Sequence, residues 1–339
     1  MNAMLLRLWV LSILATLAAC SVAPGPQAMT RSGVPDDPSP PSEPKRPADP
    51  LTLALAAALE RGEWRDLRIE SECQDDTAQL RSVTLFGSGV GIWHRERQFT
   101  VAREPLLDLL RELSRIGFGA LPESFGGSSD PDDAAPAEGF GLRLICRVRV
   151  VLDGIDKQSY QLSEGRQSPV LKSMAEKILA LGEVLGPKGI GAESLSDGLE
   201  KLARGELAPE TLTLQLQRQP EDPRSDEQGW ILRLEHGAAR LTFSSRATGW
   251  SEPHQTPLTR EEFAALAARL AELHPEDLPV NLYSTWYQDL EIRVLNRKVT
   301  LQARRFAGLE PQTHGEKQDR FDAMIAEIDA VRSRVEGAR

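Results

Sequence analysis

An internal repeat constrains the fold of this chain more strongly than any other feature of its sequence. When the chain is shifted by 157 residues against itself, Arg103 falls on Arg260, and Leu121-Pro122 falls on Leu278-Pro279 without a gap. Apolar side chains between these points recur at spacings of three and four residues, which indicates one buried stripe of an amphipathic helix. The matched pairs of this stripe are Leu106/Phe263, Leu109/Leu266, Leu113/Leu270 and Ile116/Leu273. The chain is therefore predicted to contain two copies of one module.

Two further segments repeat. A second helix matches at an offset of 150 residues, and the short segment Leu59–Glu63 matches Leu202–Glu206 at an offset of 143 residues. The matched positions of the second helix are Leu171/Phe321, Met174/Met324, Ile178/Ile328, Leu181/Val331 and Leu185/Val335. The glycine in each short segment is predicted to end a helix. Thr259 with Glu262 predicts a capping box where the inner helix of the second copy begins.

Between the helices the apolar period changes to two, which is typical of strands with one buried face. In the first copy we predict strands at Trp64–Glu72, Leu80–Phe86, Val90–Val101 and Leu142–Leu152, with a turn at Gly87-Ser88-Gly89. In the second copy we predict strands at Thr211–Arg218, Trp230–Glu235, Arg240–Ser245, Leu290–Leu295 and Lys298–Arg304. Strict alternation suits antiparallel sheets. The predicted fold class is α+β, with two tandem copies of an antiparallel-sheet module whose helices pack on one face, copy 1 at residues 51–188 and copy 2 at residues 189–339.

The N-terminus has the order of a secretory signal peptide over residues 1–19. Arg7 is its one charged residue, and the apolar run from Leu8 to Leu17 is shorter than the roughly 20 residues of a membrane-spanning helix. The run ends in Leu17-Ala18-Ala19-Cys20, which resembles the lipobox of bacterial lipoproteins. An ordinary signal peptide followed by a chance cysteine is the alternative.

The lipobox resemblance implies that Cys20 is lipidated. It would become the first residue of the mature protein, with a diacylglyceryl thioether on its sulfur and an acylated amine. Several buried acyl chains, at about 0.8 kcal/mol per CH2 group, hold such a protein at its membrane. Ser21 after the cysteine implies the outer membrane, with the protein facing the periplasm. The outer leaflet of the plasma membrane is the alternative location.

Residues 20–50 are predicted to form the lipid anchor and a disordered, proline-rich tether. Nine of the thirty residues from Ser21 to Pro50 are proline, and large apolar side chains are nearly absent. Such a segment cannot offset the entropy of ordering, and proline favours extended conformations of about 3.1 Å per residue, so the tether would reach up to roughly 90 Å. A spacer without a required reach is the alternative.

Charge and cysteine usage limit the partners and the compartment. The formal net charge of -10 and the pI near 5.2 argue against a nucleic-acid binder, because such proteins use basic faces to displace counterions. Cys73 and Cys146 both fall in predicted strands of the first copy. In an oxidising envelope two such thiols pair as a disulfide, and two buried free cysteines are the alternative.

Catalytic and cofactor motifs are not recognisable in the sequence. The histidines lack the spacing of a zinc site; they are His94, His236, His254, His274 and His314. Gly87, Gly89 and Gly91 are not followed by the helix of a phosphate-binding loop, and no Gly-x-Ser-x-Gly elbow is present. We therefore expect no cofactor, and the sequence favours a protein that is not an enzyme.

Two residue sets are weaker candidates for binding. Asp130, Asp132 and Asp133 lie in a long acidic loop and offer hard oxygen ligands for Ca²⁺, but without calcium-loop spacing; a solvated loop is the alternative. Tyr283, Trp286 and Tyr287 form the densest aromatic cluster, and aromatic faces stack on sugars or anchor a protein partner. Packing within the module is the alternative for this cluster.

The helix-flanked strands resemble modules of uncharacterised bacterial envelope proteins, a resemblance that implies no activity. The anchor, the tether, the duplication and the missing catalytic set favour a non-catalytic binding or scaffolding protein, whose partner is an envelope protein or a cell-wall component. The alternative is an envelope enzyme or inhibitor with its site in the cleft between the two modules. A histidine and carboxylates converging in that cleft would favour the alternative, whereas exposed apolar patches on equivalent faces would favour binding.

Overall fold

The computed structural model of the chain describes residues 49–74, 79–125, 144–163, 168–220, 228–245, 249–304 and 315–337. Its helices are α1 (Pro50–Arg61), α2 (Arg103–Arg115), α3 (Pro169–Leu185), α4 (Leu195–Ala203), α5 (Arg260–Glu272) and α6 (Glu316–Gly337). The strands of the first sheet are β1 (Arg68–Gln74), β2 (Leu80–Phe86), β3 (Val90–Trp93), β4 (Arg97–Thr100), β5 (Ser124–Phe125), β6 (Leu144–Leu152), β7 (Ile155–Leu162) and β8 (Ile190–Gly191). The strands of the second sheet are β9 (Leu212–Pro220), β10 (Gly229–Glu235), β11 (Ala238–Ser245), β12 (Gly249–Trp250), β13 (His254–Pro257), β14 (Asn281–Leu282), β15 (Trp286–Val294) and β16 (Arg297–Ala303).

The strand order of the two sheets reproduces the internal repeat. The first sheet runs β5-β7-β6-β1-β2-β3-β4-β8, and the second contains the run β14-β16-β15-β9-β10-β11. Strand by strand, the second run corresponds to β5-β7-β6-β1-β2-β3, and both runs are antiparallel except for the two-residue parallel pairs β5/β7 and β14/β16. The predicted α+β class, with two tandem antiparallel-sheet modules, is confirmed.

Local capping residues explain where several helices begin and end. The carboxylate of Asp49 accepts hydrogen bonds from the first backbone amides of α1, and Gly62 ends that helix in the left-handed conformation at φ 67°. The predicted capping box of Thr259 and Glu262 is present at the start of α5. The equivalent helix α2 follows Ala102, which offers no side-chain cap. The two copies therefore share their helices but differ in how one of them is capped.

Each sheet buries one face against its own helices, so the described chain contains two hydrophobic cores. In the first, Leu110 and Ile178 from the helices pack with Ile69 and Val148 from the sheet. The second core is built in the same way from the predicted stripes; its fully or nearly fully buried members include Phe263, Leu270, Phe321, Ile328, Leu214 and Ile292. Among the described residues, no helix is both long and apolar enough to span a membrane.

Three expectations about the strands require correction. The segment predicted as one strand from Val90 to Val101 is the hairpin β3–β4, because His94 and Arg95 adopt left-handed conformations and reverse the chain. The first strand begins at Arg68 rather than at Trp64, since Trp64 starts a turn closed by a 3.0 Å bond from Leu67 N to its carbonyl. The strands β5, β7, β8, β12, β13 and β14 are not among the predicted ones, and β8 pairs with β4 at the edge of the first sheet.

Candidate functional site

The sheet face opposite the helices is polar in both modules. In the first sheet, β1 places Glu70 and Glu72 on this face, and β6 places Arg149 and Arg147 directly opposite them. Because side chains alternate along a strand, the residues between them point into the core. On the same face Asp156 of β7 is paired with Arg149. We call this surface the polar face of the first sheet.

The polar face of the second sheet is richer in amides. Gln215 and Gln217 lie on β9, opposite Glu291 and Asp289 of β15. Arg240 of β11 lies on this face too, in register with Arg233 of the neighbouring strand β10. The pKa of Asp289 is raised, first by burial and then by the neighbouring Glu291.

The two modules contact each other where the turns at one end of the second sheet meet the polar face of the first. His236 occupies the β10–β11 turn, and its ring lies 5.3 Å from the ring of Phe86, measured between centroids. Ile92 of β3, on the same face of the first sheet, packs against the core of the second module. The turn Ser88 donates a hydrogen bond of 2.7 Å to Glu210, which precedes β9.

The segment that joins the two modules adds further hydrogen bonds between them. The strand β8 pairs with β4 of the first sheet, and Lys201 of α4 donates a hydrogen bond of 2.9 Å to the carbonyl of Gly191 in β8. Gln98 of β4 also accepts a 2.6 Å bond from the backbone amide of Ala208. These bonds hold the first sheet and the start of the second module together.

A cleft lies along this contact, and the polar faces of both sheets line it. One cavity of about 160 Å³ is bounded by Arg68, Phe86, Glu235, His236 and Arg240, together with the exposed Arg65, Asp66 and Gln255. A neighbouring cavity of about 180 Å³ shares Phe86, Glu210 and His236 with it, and its other walls include Glu70, Glu72, Arg95, Thr213, Arg293 and Leu295. Two larger cavities, of about 330 and 350 Å³, lie beside Trp64 and beside Lys157, within the first module. The cleft is distinguished from them by residues of both modules in its walls.

Charges of both signs surround the cleft. Glu70 lies 3.1 Å from Arg68 Nε and 3.7 Å from Arg149 Nη1, and Arg149 also holds Asp156 through two hydrogen bonds of 2.5 and 2.8 Å. Burial lowers the pKa of Arg68, whereas the bond from Arg149 lowers the pKa of Asp156. On the other side of the cleft, Arg240 Nη1 lies 3.3 Å from Glu235 Oε1.

His236 is the residue of the cleft whose pKa departs most from its ordinary value. It sits in the turn with a left-handed φ of 54°, and its Nδ1 is buried without a hydrogen-bond partner in the described chain. Burial, followed by the positive charges of Arg68, Arg240 and Arg149, lowers the pKa of His236 to about 3. The imidazole is therefore neutral near pH 7, where it can donate or accept a hydrogen bond but is a weak base.

The structure separates the aromatic residues that the sequence grouped. Trp286 and Tyr287 are consecutive in β15 and therefore lie on opposite faces of the second sheet. The guanidinium of Arg218 lies over the Trp286 ring at 4.5 Å from its centroid, and Arg218 in turn contacts Asp329 of α6. The backbone of Tyr283 is held by the side chain of Gln318. These three residues do not form one aromatic surface.

The cysteines are brought together. Cys73 of β1 and Cys146 of β6 lie opposite each other, with Cα atoms 4.1 Å apart, and form a disulfide on the buried side of the first sheet. Of the two alternatives for these thiols, the structure contains the bonded one.

Cys20 and the acidic loop residues Asp130, Asp132 and Asp133 lie outside the described residues. Within the described chain, no group of three or more His, Cys, Asp or Glu residues is placed to hold a metal ion.

Sequence reasoning missed the cleft residues themselves. The spacing of the histidines does not single out His236, and the strand periodicity gives Phe86, Arg68 and Arg240 no role beyond their strands. A usable signal was present in His236-Gly237, since a glycine in a two-residue connection between strands predicts a tight hairpin turn. What that turn touches depends on the packing of the two modules.

Comparison with known proteins adds no family to these observations. No protein-family model matches this chain, and no curated protein matches its sequence.

Proposed function

We propose that this chain is a lipid-anchored, non-catalytic binding protein of the bacterial cell envelope, which holds an envelope protein or a cell-wall component in the cleft between its two modules. The observation that carries the proposal is the convergence of two polar sheet faces on one cleft, from residues far apart in the chain such as Glu70 and Arg240. A concave surface built on two hydrogen-bonded sheets holds its polar groups in place before a ligand arrives, which lowers the entropic cost of binding.

The envelope location is supported by the disulfide and by the N-terminal sequence. Disulfides persist in oxidising compartments such as the periplasm, and the Cys73–Cys146 bond fits an exported protein. The lipobox ending at Cys20 accounts for membrane attachment, and the proline-rich segment of residues 20–50 provides a tether of up to roughly 90 Å. Ser21 favours the outer membrane, with the protein facing the periplasm; the outer leaflet of the plasma membrane is the alternative.

An enzyme or inhibitor with its site in the same cleft is the second candidate function, because His236 lines the cleft together with Glu210 and Glu235. One observation favours binding over catalysis. A histidine whose pKa is about 3 removes protons poorly near neutral pH, and no carboxylate of the described chain hydrogen bonds to its Nδ1. Equivalent exposed apolar patches, which would also favour binding, are not found on the second helix, since the exposed Val184 falls on Arg334 at its offset. Charged and polar side chains form most of the walls of the cleft, so its ligand is expected to be polar.

Site-specific photo-crosslinking of the full chain in the cells that make it tests the binding proposal. A photoreactive amino acid replaces Gln255, an exposed residue that lines the cleft. A matched control replaces Lys172, an exposed residue on α3, which covers the opposite side of the first sheet. We expect an adduct of discrete mass from position 255 that is absent from position 172. Adducts of the same pattern from both positions, or none from position 255, would contradict the proposal.

A further inference from the structure

One row of side chains crosses the polar face of the second sheet at the end of the strands that is remote from the cleft. Residues paired across neighbouring strands point to the same face, and the register pairs Trp250 with Ser244, Ser244 with Gly229 and Gln219 with Tyr287. A Cβ atom on Gly229 would lie 3.5 Å from Gln219 Cγ, so the two halves of the row are continuous. Gly229 begins β10 and the cleft lies beyond its other end, roughly 20 Å away. We call these five residues the neutral row.

An aromatic side chain stands at each end of the neutral row. Trp250 is 47% exposed and is the only aromatic residue among the exposed large apolar side chains of the described chain. Tyr287 is half-buried and lies on the polar face because it precedes Asp289 by two residues in β15. Strands β12, β11, β10, β9 and β15 are consecutive in the sheet, so four spacings of about 4.8 Å separate the two Cα atoms by roughly 19 Å. A ligand that contacts both rings must therefore be extended.

Accessible polar groups lie between the two rings. A Cβ atom on Gly229 would come within 2.7 Å of Ser244 Oγ, so the glycine lets this hydroxyl and the side chain of Gln219 approach each other over the middle of the row. Gln217 and Asp289 face each other one step further along β9 and β15. Within the described chain, the side chains of Gln217, Gln219 and Asp289 make no hydrogen bond or ion pair and are only half-buried. Their donors and acceptors are therefore open to a ligand.

The charge of this region differs from that of the rest of the polar face. Nearer the cleft, Glu291 is paired with Arg293 and Lys298, and Gln215 accepts a hydrogen bond from Arg233. The neutral row itself has no formal charge, which does not suit a nucleic acid or another polyanion. Protein hot spots are aromatic anchors in desolvated, well-packed surroundings, whereas the neighbours of these rings are hydroxyl and amide side chains. The complementary ligand is uncharged and rich in hydroxyl groups.

We propose that the neutral row binds an extended, uncharged oligosaccharide, whose sugar rings stack on Trp250 and Tyr287 while Gln219, Gln217 and Asp289 hydrogen bond to hydroxyl groups between them. Aromatic faces supply apolar contact area for the C–H faces of sugar rings, and the amide offers both donors and an acceptor to neighbouring hydroxyls. A β-1,4-linked glycan fits because its chain is extended. This site lies apart from the cleft of the proposed function and does not depend on it.

Calorimetric titration of the purified full chain with three sugars tests the proposal. The probes are chitotetraose, cellotetraose and the monosaccharide N-acetylglucosamine. We expect at least one tetrasaccharide to bind, and the monosaccharide to bind about tenfold or more weakly because it reaches only one of the two rings. Binding of chitotetraose alone would identify an N-acetylated glycan, and binding of both would identify the shared β-1,4-linked backbone. Binding of neither tetrasaccharide, or equal binding of the monosaccharide, would overturn the proposal.

Three single variants assign the binding to the neutral row. Trp250→Ala and Tyr287→Ala are each expected to weaken binding of the preferred tetrasaccharide about tenfold or more, since truncating an aromatic anchor removes most of its contact. The matched control is Tyr160→Ala, which removes a tyrosine opposite Arg147 on the polar face of the first sheet and should leave binding unchanged. Equal effects of the three variants would overturn the assignment.

Two further comparisons keep the test independent of variant folding and of the cleft. The comparison of tetrasaccharide with monosaccharide uses the wild-type chain alone. A photoreactive amino acid at position 250 distinguishes a protein partner: discrete protein adducts in cells, together with no binding of either tetrasaccharide, would make the row a protein interface and refute the glycan proposal. Crosslinking at position 255 tests the cleft separately, so failure of one proposal is distinguishable from failure of the other.

Discussion

Arg103 donates a hydrogen bond of 2.7 Å from Nη2 to the carbonyl oxygen of Gly62, the glycine that ends α1. Arg260 makes the same bond, at 2.8 Å, to Gly205 after α4. In both copies the arginine at the first position of a helix, α2 or α5, thus hydrogen bonds to the glycine that follows the preceding helix. In the first copy the same guanidinium also lies over the ring of Trp64, at 5.1 Å from its centroid, and Leu207 occupies the position of Trp64 in the second copy.

Replacing these arginines should have unequal effects. Arg103→Gln removes a charged hydrogen bond and a cation–π contact, so we expect it to lower the free energy of unfolding by about 1 to 2 kcal/mol. Arg260→Gln removes the hydrogen bond without the tryptophan contact and should cost about 0.5 to 1 kcal/mol. Urea unfolding of the full chain measures both. A larger loss of stability for Arg260→Gln than for Arg103→Gln would refute this account of the two arginine–glycine hydrogen bonds.

Removing the disulfide should destabilise the first module. The bond joins cysteines 73 residues apart, and loss of a native disulfide of this kind typically costs about 2 to 5 kcal/mol. The double variant Cys73→Ala/Cys146→Ala should therefore unfold at lower urea concentration than the wild type. Wild-type protein under a strong reductant should resemble the variant, and identical unfolding with and without reductant would count against the bond.

The stability of the chain should respond to the titration of His236. Its pKa is lowered from 6.5 to about 3 in the folded chain, so the unfolded chain binds a proton between these values while the folded chain does not. The part of the folding stability that depends on an unprotonated His236 is fully present above pH 6.5 and is lost as the pH falls from 6.5 towards 3. His236→Gln removes it, so the wild type should lose more stability than this variant on acidification through that window. Parallel pH profiles of the two proteins would show that burial does not perturb this histidine.

The anchor proposal gives a separate prediction. Cys20→Ala removes the thiol that accepts the lipid, so this variant should accumulate as the unprocessed precursor and should not incorporate labelled palmitate. Gel mobility and radiolabelling of the two forms in cells provide the measurement. Palmitate labelling equal to that of the wild type would sink the lipoprotein proposal, while the fold of the two modules would be unaffected.

Much of each module was predictable because local periodicity reflects local burial. The stripe from Leu106 to Leu113 predicted α2 correctly, since residues three and four apart share a helix face whatever that face packs against. The strand Leu80–Phe86 was predicted with its observed bounds, but its burial does not alternate strictly, because Ser82 and Phe86 are buried on the face opposite Val83 and Leu85. The hairpin at His94 and Arg95 was not, because two left-handed residues interrupted a run that remained compatible with one longer strand.

The sequence by itself determined that this chain contains a duplicated α+β module, because both copies carry the same helix stripes and the same strand periods. Both copies also carry the same Arg-Gly dipeptide, Arg61-Gly62 and Arg204-Gly205. Only the tertiary structure decided that the β10–β11 turn rests on Phe86, that Arg68 and Arg240 line one cavity, and that Trp286 and Tyr287 face apart. The physical reason is that periodicity records which face of an element is buried and not which distant element covers it. Phe86 and His236 are separated by a whole module in sequence, and nothing in the local pattern around either residue specifies the other.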